Sequence, residues 1–205
     1  MLTPRTGDTR EQILEAATAL FSASGLEAVT FDAVASQLGI TKQAVIYWFP
    51  SKVALLSALA LPSLRAEARV AIDAATKASC SKEAARAVVR ALIAFHLADL
   101  PRFRLLYLSP QVGVTTVARK AAAELVRQIH PVTAEMYAAV AAALDDGPEA
   151  RATAVALHMA ALGHILMVAL TDAIGDPLRH EPKILAARLA DVLAAGVGYH
   201  SEIVS

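Results

Sequence analysis

Cysteine, glycine, proline and aromatic residues are all scarce in this sequence, and each scarcity narrows the class of protein. The single cysteine, Cys80, excludes an intrachain disulfide and suits a reducing compartment such as the cytoplasm. There are only 9 glycines and 9 prolines in 205 residues, while Ala and Leu are abundant and alternating β-branched runs are absent. We therefore expect an all-α protein. Its polar N-terminal residues also argue against a signal peptide.

Charged residues are missing from one long stretch, which raises the question of a membrane span. Residues 152–170 read ATAVALHMAALGHILMVAL, about the length that crosses a bilayer. The stretch contains His158 and His164, and Arg151 and Asp172 flank it in place of a cationic border. We interpret it as a buried or dimer-forming helix, with membrane insertion as the alternative.

The region from Thr9 to Lys52 carries the clearest pattern, which predicts three short helices and the start of a fourth. Gly25 is placed to end the first helix, Thr30 to cap the second and Thr41 to cap the third. Ala35, Gly39 and Val45 have the spacing of a helix-turn-helix, in which a small residue precedes the turn glycine by four positions. In such a unit the third helix enters the DNA major groove.

These residues resemble the N-terminal DNA-binding domain of the TetR/AcrR family of transcriptional regulators. The matching pieces are TREQILEAA with Leu20-Phe21 after it, Gly25, TFDAVASQLGITKQAV, and FPSK before a long fourth helix. The resemblance implies about nine helices, divided into a DNA-binding domain (1–56) and an effector-binding and dimerisation domain (57–205). It also implies a homodimer through the last two helices, a double-stranded DNA operator and a small effector, with no cofactor.

Two positions depart from the family pattern at the end of the recognition helix. Ile46 stands where the family usually has a tyrosine that contacts phosphate, and Trp48 stands where it has His or Tyr. Isoleucine donates no hydrogen bond, so one backbone contact is expected to be missing unless Tyr47 or the Trp48 indole supplies it. The other interpretation of Ile46 is that it packs in the three-helix core. For Trp48, two interpretations are equally good: packing in the core and contact with the DNA backbone.

The DNA-binding residues are expected at the starts of the second, third and fourth helices. Gln43 is the best candidate for adenine, Lys42 for guanine or phosphate, and Ala44 for a thymine methyl. The full predicted set is Thr30, Thr41, Lys42, Gln43, Ala44, Tyr47, Trp48 and Lys52. Because acidic residues outnumber basic ones in residues 1–56, the segment is not suited to sequence-blind adhesion to DNA.

The remaining sequence predicts longer helices at about 51–78, 82–99, 101–108, 115–145 with an interruption near Pro131, 149–174 and 181–197. The family resemblance places an effector among these helices. Candidate lining residues, each of which is alternatively plain core, are His96, Phe103, Leu106, Tyr107, Met136, Tyr137, His158, Leu162 and Met167. The histidines show no metal-ligand spacing, so no metal is expected.

These observations favour a ligand-responsive, dimeric, cytoplasmic transcriptional regulator, most simply a repressor of a palindromic operator. The alternatives are a dimer with weakened DNA binding that acts through protein partners, and an enzyme. No nucleophile–base pair or phosphate-binding loop supports the enzyme.

Overall fold

The computed structural model describes residues 6–108, 116–144, 147–175 and 180–197. Within these ranges there are nine α-helices and no strand, so the all-α prediction is confirmed. The helices are α1 (Thr6–Ser24), α2 (Phe31–Leu38), α3 (Lys42–Trp48), α4 (Lys52–Thr76), α5 (Ser81–Leu97), α6 (Leu100–Phe103), α7 (Thr116–Leu144), α8 (Ala150–Ile174) and α9 (Pro182–Gly196). Short 3-10 turns cover Leu26–Ala28 and Gly147–Glu149, and a π-helical turn covers Arg104–Leu108.

Helix α7 does not break near Pro131, in contrast to the prediction. It runs without interruption from Thr116 to Leu144. A proline removes one backbone donor from a helix. Next to it, the Thr133 hydroxyl donates to the His130 carbonyl at 3.2 Å. Pro131 is exposed, and the helix continues through it.

The chain divides into two compact units, one of residues 1–64 and 101–129, the other of residues 65–100 and 130–205. In the first unit, α1, α2 and α3 enclose a small apolar core to which the start of α4 also contributes. Its buried members are Ile13, Ala16, Ala17, Val29, Val34, Ala35, Val45, Phe49 and Leu55. Small Ala16, Ala17 and Ala35 allow the helices to approach closely, while Ile13 and Phe49 fill the centre.

In the second unit, α5 packs against both α8 and α9. The buried positions of α8 and α9 are dominated by alanine, including Ala154, Ala161, Ala186, Ala190 and Ala194. At the edge of this packing, Arg86 Nε donates to Asp191 Oδ1 at 2.7 Å and so ties α5 to α9. The hydrogen bond from Arg86 holds the pKa of Asp191 below its usual value.

One helical segment among the described residues, Gly147–Asp172, is long and apolar enough to cross a membrane, with a mean hydropathy of 1.9. Core helices of soluble proteins have the same properties. Helix α8, which makes up most of this segment, packs against α5 in a helical bundle.

Candidate functional site

The turn between α2 and α3 has the geometry of a helix-turn-helix. Gly39 adopts φ 65° and ψ 28°, the left-handed conformation that glycine takes without steric cost. Its neighbour Ile40 donates its N–H to the Ala35 carbonyl at 3.0 Å, and Gly39 donates to Ser36 at 3.3 Å. These two bonds form a Schellman motif, which satisfies the last carbonyls of α2 and turns the chain toward α3.

Side-chain caps hold the beginnings of α2 and α3, as the sequence predicts. The Thr30 hydroxyl accepts from the Ala33 N–H at 3.1 Å, and the Thr41 hydroxyl accepts from the Ala44 N–H at 3.2 Å. Each cap satisfies one N–H that the first helical turn leaves unpaired. Their location at helix starts is therefore explained by folding, and a contact with DNA stays a prediction for both threonines.

Helix α3 buries one side and exposes the other. Val45 is fully buried in the three-helix core, whereas Lys42, Gln43 and Tyr47 are exposed, Tyr47 to 79%. Gln43 and Tyr47 are four residues apart and lie on one side of the helix. An exposed amide and phenol on a helix fixed by a buried valine suit a helix that contacts base edges.

Trp48 and Ile46, the two departures from the family pattern, are both half-buried. Trp48 packs against the three-helix core and meets the Tyr47 ring edge-on, with ring centroids 5.4 Å apart. The core interpretation therefore accounts for part of the Trp48 surface. Its remaining exposure leaves the indole N–H contact with DNA as a prediction.

Three cations in and beside the helix-turn-helix, Lys42, Lys52 and Arg10, have partners within the protein. Lys42 Nζ lies 2.8 Å from Asp32 Oδ2, which links the start of α3 to the first turn of α2. Lys52 Nζ donates to the Leu26 carbonyl at 3.5 Å, a long bond. The guanidinium of Arg10 lies 5.3 Å above the centre of the Phe49 ring.

The second unit contains a buried polar cluster formed by four helices. Glu67 of α4 accepts a hydrogen bond from His158 Nε2 of α8 at 2.7 Å. His96 Nε2 of α5 lies 3.5 Å from the same carboxylate oxygen. The hydroxyl of Tyr137 on α7 lies 2.7 Å from His158 Nδ1. Glu67, His96 and His158 are all at most 5% exposed.

The protonation of this cluster follows from the donors available. Burial raises the pKa of Glu67, but hydrogen bonds from His158 and His96 and the charges of both rings outweigh it and lower the pKa from 4.5 to about 2. An ionised carboxylate only accepts, so His158 Nε2 carries the proton that it donates. The Tyr137 hydroxyl extends the network through its 2.7 Å contact with His158 Nδ1. Burial, together with the charge of Glu67, raises the pKa of Tyr137, which keeps this hydroxyl protonated.

Three predicted effector residues, His96, Tyr137 and His158, are brought together by this cluster. Met136 is buried in the same unit, Leu162 is half-buried, and Met167 is 58% exposed beside a groove near His164. The other predicted residues, Phe103, Leu106 and Tyr107, lie in the first unit, where the Phe103 and Tyr107 rings are 5.3 Å apart.

Glu67 is the residue that the sequence analysis missed. The sequence does contain a pattern that could have identified Glu67. The buried side of α4 consists of Leu64, Ala68, Ala71 and Ala75, and Glu67 lies on that side. A charged residue on the apolar side of a helix needs a buried partner. The partners, His96 and His158, lie far away in sequence, so this pattern alone does not reveal them.

The cluster has the geometry of a hydrogen-bond network. The 2.7 Å between Glu67 and His158 is a direct hydrogen bond, which leaves no room for an ion between them. In the part of the chain that the structure describes, no group of three or more His, Cys, Asp or Glu residues is arranged to hold a metal ion.

Helices α1, α2 and α3, with a left-handed glycine between α2 and α3, define a helix-turn-helix of the kind that binds DNA. Residues 13–59 match the family model described as bacterial regulatory proteins of the tetR family. Residues 13–59 thus match the DNA-binding domain of this family, and the TetR family resemblance predicted from the sequence is confirmed. A search of curated proteins finds no significant match.

Solved structures show the same fold over nearly the whole chain. A tetR family regulatory protein from Rhodococcus RHA1 has 21% identity and a TM-score of 0.62, with 94% of this chain and 98% of that one covered. PfmR from Thermus thermophilus has 20% identity and a TM-score of 0.59, with coverages of 90% and 98%. FadR from Bacillus subtilis, in complex with stearoyl-CoA, has 14% identity and a TM-score of 0.68, with coverages of 91% and 98%.

Proposed function

We propose that this protein is a cytoplasmic, homodimeric transcriptional repressor that binds a palindromic operator and is released from it by a small apolar effector. Residues 1–56 form its DNA-binding domain, and residues 57–205 bind the effector and dimerise. The observation that carries the proposal is the exposed side of α3, where Gln43 and Tyr47 project from a helix anchored by buried Val45. The protein has no enzymatic role in this proposal.

Operator recognition is assigned to α3 and the helix starts beside it. Gln43 is proposed to pair with adenine, and Lys42 with guanine or a phosphate. Thr30, Thr41 and Lys52 lie at or next to helix starts, where phosphates are commonly bound, and Ala44, Tyr47 and Trp48 complete the predicted surface.

Dimerisation is supported by an uncovered apolar stripe on α8. Every third or fourth residue from Ala152 to Ile174 is exposed, and none of these residues is charged. The stripe consists of Ala152, Ala156, Met159, Gly163, Met167, Leu170 and Ile174. Exposed Ile184, Leu185 and Val192 add apolar surface on α9. Apolar surface of this extent favours a partner, and a second copy related by a two-fold axis matches a palindromic operator.

A charge placed in the stripe tests the dimer. Met159→Glu is expected to shift the protein toward monomer in sedimentation velocity, because the buried charge would face its own copy across the axis. Val126→Glu is a matched control, since Val126 is 57% exposed on α7 and Met159 is 65% exposed on α8. Equal dimerisation of wild type and Met159→Glu would contradict the interface.

The effector is proposed to place a polar group beside Tyr137 and His158 and its apolar body among neighbouring side chains. The buried cluster supports this, because its hydrogen-bonding groups lie inside an otherwise apolar unit. The similar FadR is in complex with stearoyl-CoA, a ligand with a long apolar chain. Binding would favour a dimer whose recognition helices have a different separation.

Selection of genomic fragments by the purified protein, followed by sequencing, tests the function. We expect an inverted repeat with half-sites about one helical turn apart. Stearoyl-CoA is the first probe for release of the enriched duplex, and Tyr137→Phe is expected to weaken release without changing DNA affinity in its absence. A folded dimer that enriches no sequence would contradict the repressor and favour the alternative suggested by Ile46, a regulator that acts mainly through protein partners.

A further inference from the structure

The ion pair between Lys42 and Asp32 joins the two helices of the helix-turn-helix on its exposed side. Lys42 is the first residue of α3, and its Nζ lies 2.8 Å from Asp32 Oδ2 in the first turn of α2. Both side chains are open to solvent, with 51% and 71% exposure. The cation that the DNA-binding proposal assigns to guanine or phosphate is therefore neutralised in the DNA-free protein.

Few other cations are available in the same domain. In residues 1–56 the basic side chains besides Lys42 are Arg5, Arg10 and Lys52, against Asp8, Glu11, Glu15, Glu27 and Asp32. Affinity for DNA of any sequence depends on how many cations contact phosphates. Because the domain has so few cations, the pairing of Lys42 with Asp32 strongly affects the affinity for non-specific DNA.

Pairing with Asp32 changes which DNA groups Lys42 binds well. A lysine ammonium has three N–H donors, so it can keep one on Asp32 and give another to the neutral O6 or N7 of guanine. A phosphate oxygen beside the pair meets the charge of Asp32 as well as that of Lys42. The pair thus retains the hydrogen bonding that reads a base and loses most of the charge attraction to the backbone.

We propose that Asp32 is a specificity-determining residue, which lowers the affinity for non-operator DNA by neutralising Lys42. This inference rests on the proposed operator binding through α3. It differs from a purely positioning role, in which Asp32 would hold Lys42 against its base and loss of the carboxylate would weaken operator binding.

The test measures binding to a labelled duplex of random sequence by fluorescence anisotropy at several salt concentrations. Asp32→Asn keeps the shape of the side chain and removes its charge. We expect the variant to bind this duplex roughly two- to five-fold more tightly near 0.1 M salt. This is about the factor by which a single exposed ion pair changes a binding constant. The slope of log K against log salt should steepen by about one, because Lys42 gains a phosphate contact.

Two controls distinguish the loss of the Lys42–Asp32 ion pair from a general change in the charge of the protein. Glu15→Gln removes one negative charge from the exposed side of α1 and should produce a smaller change. In a Lys42→Gln background, Asp32→Asn should have little further effect, because its action requires Lys42. An equal gain in the presence and absence of Lys42 would overturn the inference.

The operator obtained by genomic selection supplies the final comparison. Asp32→Asn is expected to reduce the ratio of operator to random-sequence affinity. Weaker operator binding with unchanged random-sequence binding would instead show a positioning role and overturn the proposal. A wild-type protein without any operator preference would contradict the proposed function itself, whereas operator preference that Asp32→Asn leaves unaltered would contradict the role of Asp32 alone.

Discussion

Replacement of Glu67 by glutamine removes the charge of the buried cluster and keeps its shape. Glu67 is 2% exposed and accepts from His158 at 2.7 Å, with His96 at 3.5 Å from the same oxygen. A glutamine carbonyl can still accept from His158, so the variant tests the charge and leaves the packing in place.

The magnitude follows from the two pKa values of the carboxyl group. Its pKa falls from 4.5 in the unfolded chain to about 2 in the folded protein. Because the folded value is the lower one, the ionised carboxylate stabilises the fold above pH 4.5, and this contribution is lost as the pH falls toward 2. At about 1.4 kcal/mol per pKa unit, the contribution is about 3 kcal/mol.

The assay is urea unfolding followed by circular dichroism between pH 7 and pH 2, at constant protein concentration and ionic strength. Wild type should exceed Glu67→Gln by about 3 kcal/mol at pH 5 and above, and the two should converge near pH 2. Glu135→Gln is the matched control, because Glu135 is exposed on α7. A difference between wild type and Glu67→Gln that does not change with pH would refute the reasoning.

Three further predictions concern the DNA-binding domain. Gln43→Ala should weaken operator binding by about 1–3 kcal/mol and relax the preference at one base pair, as read by repeated selection; an unchanged sequence preference would remove Gln43 from the contact set. Ile46→Tyr should leave operator affinity equal or raise it, because a hydroxyl is added where the family contacts phosphate, and a large loss in a titration would reveal another role for Ile46. Gly39→Ala should lower the free energy of unfolding by about 1–2 kcal/mol through its left-handed φ, with Gly39→Asn losing less. No atom lies within 4 Å of a Cβ built there, so an equal loss for both variants would contradict the backbone explanation.

The helix-turn-helix was predictable because its signals are local. Thr30 and Thr41 each accept a hydrogen bond from an N–H group three residues further along the chain. The turn at Gly39 is closed by bonds between residues three and five positions apart, Gly39 to Ser36 and Ile40 to Ala35. Such bonds depend on residue type and on immediate neighbours. A sequence therefore determines them before any distant part of the chain is in place.

The contacts of Lys42 and Glu67 differ in how far they depend on the tertiary structure. Lys42 meets Asp32 because the turn at Gly39 brings the starts of α2 and α3 together. Glu67 and His158 are 91 residues apart, and their hydrogen bond exists because α4 and α8 pack in one bundle. Periodicity shows that Glu67 lies on a buried stripe, but a buried carboxylate is stabilised by whichever donors the packing of other helices supplies. Local sequence thus determined the helices and the DNA-binding turn, and long-range packing determined which polar groups meet inside the second unit.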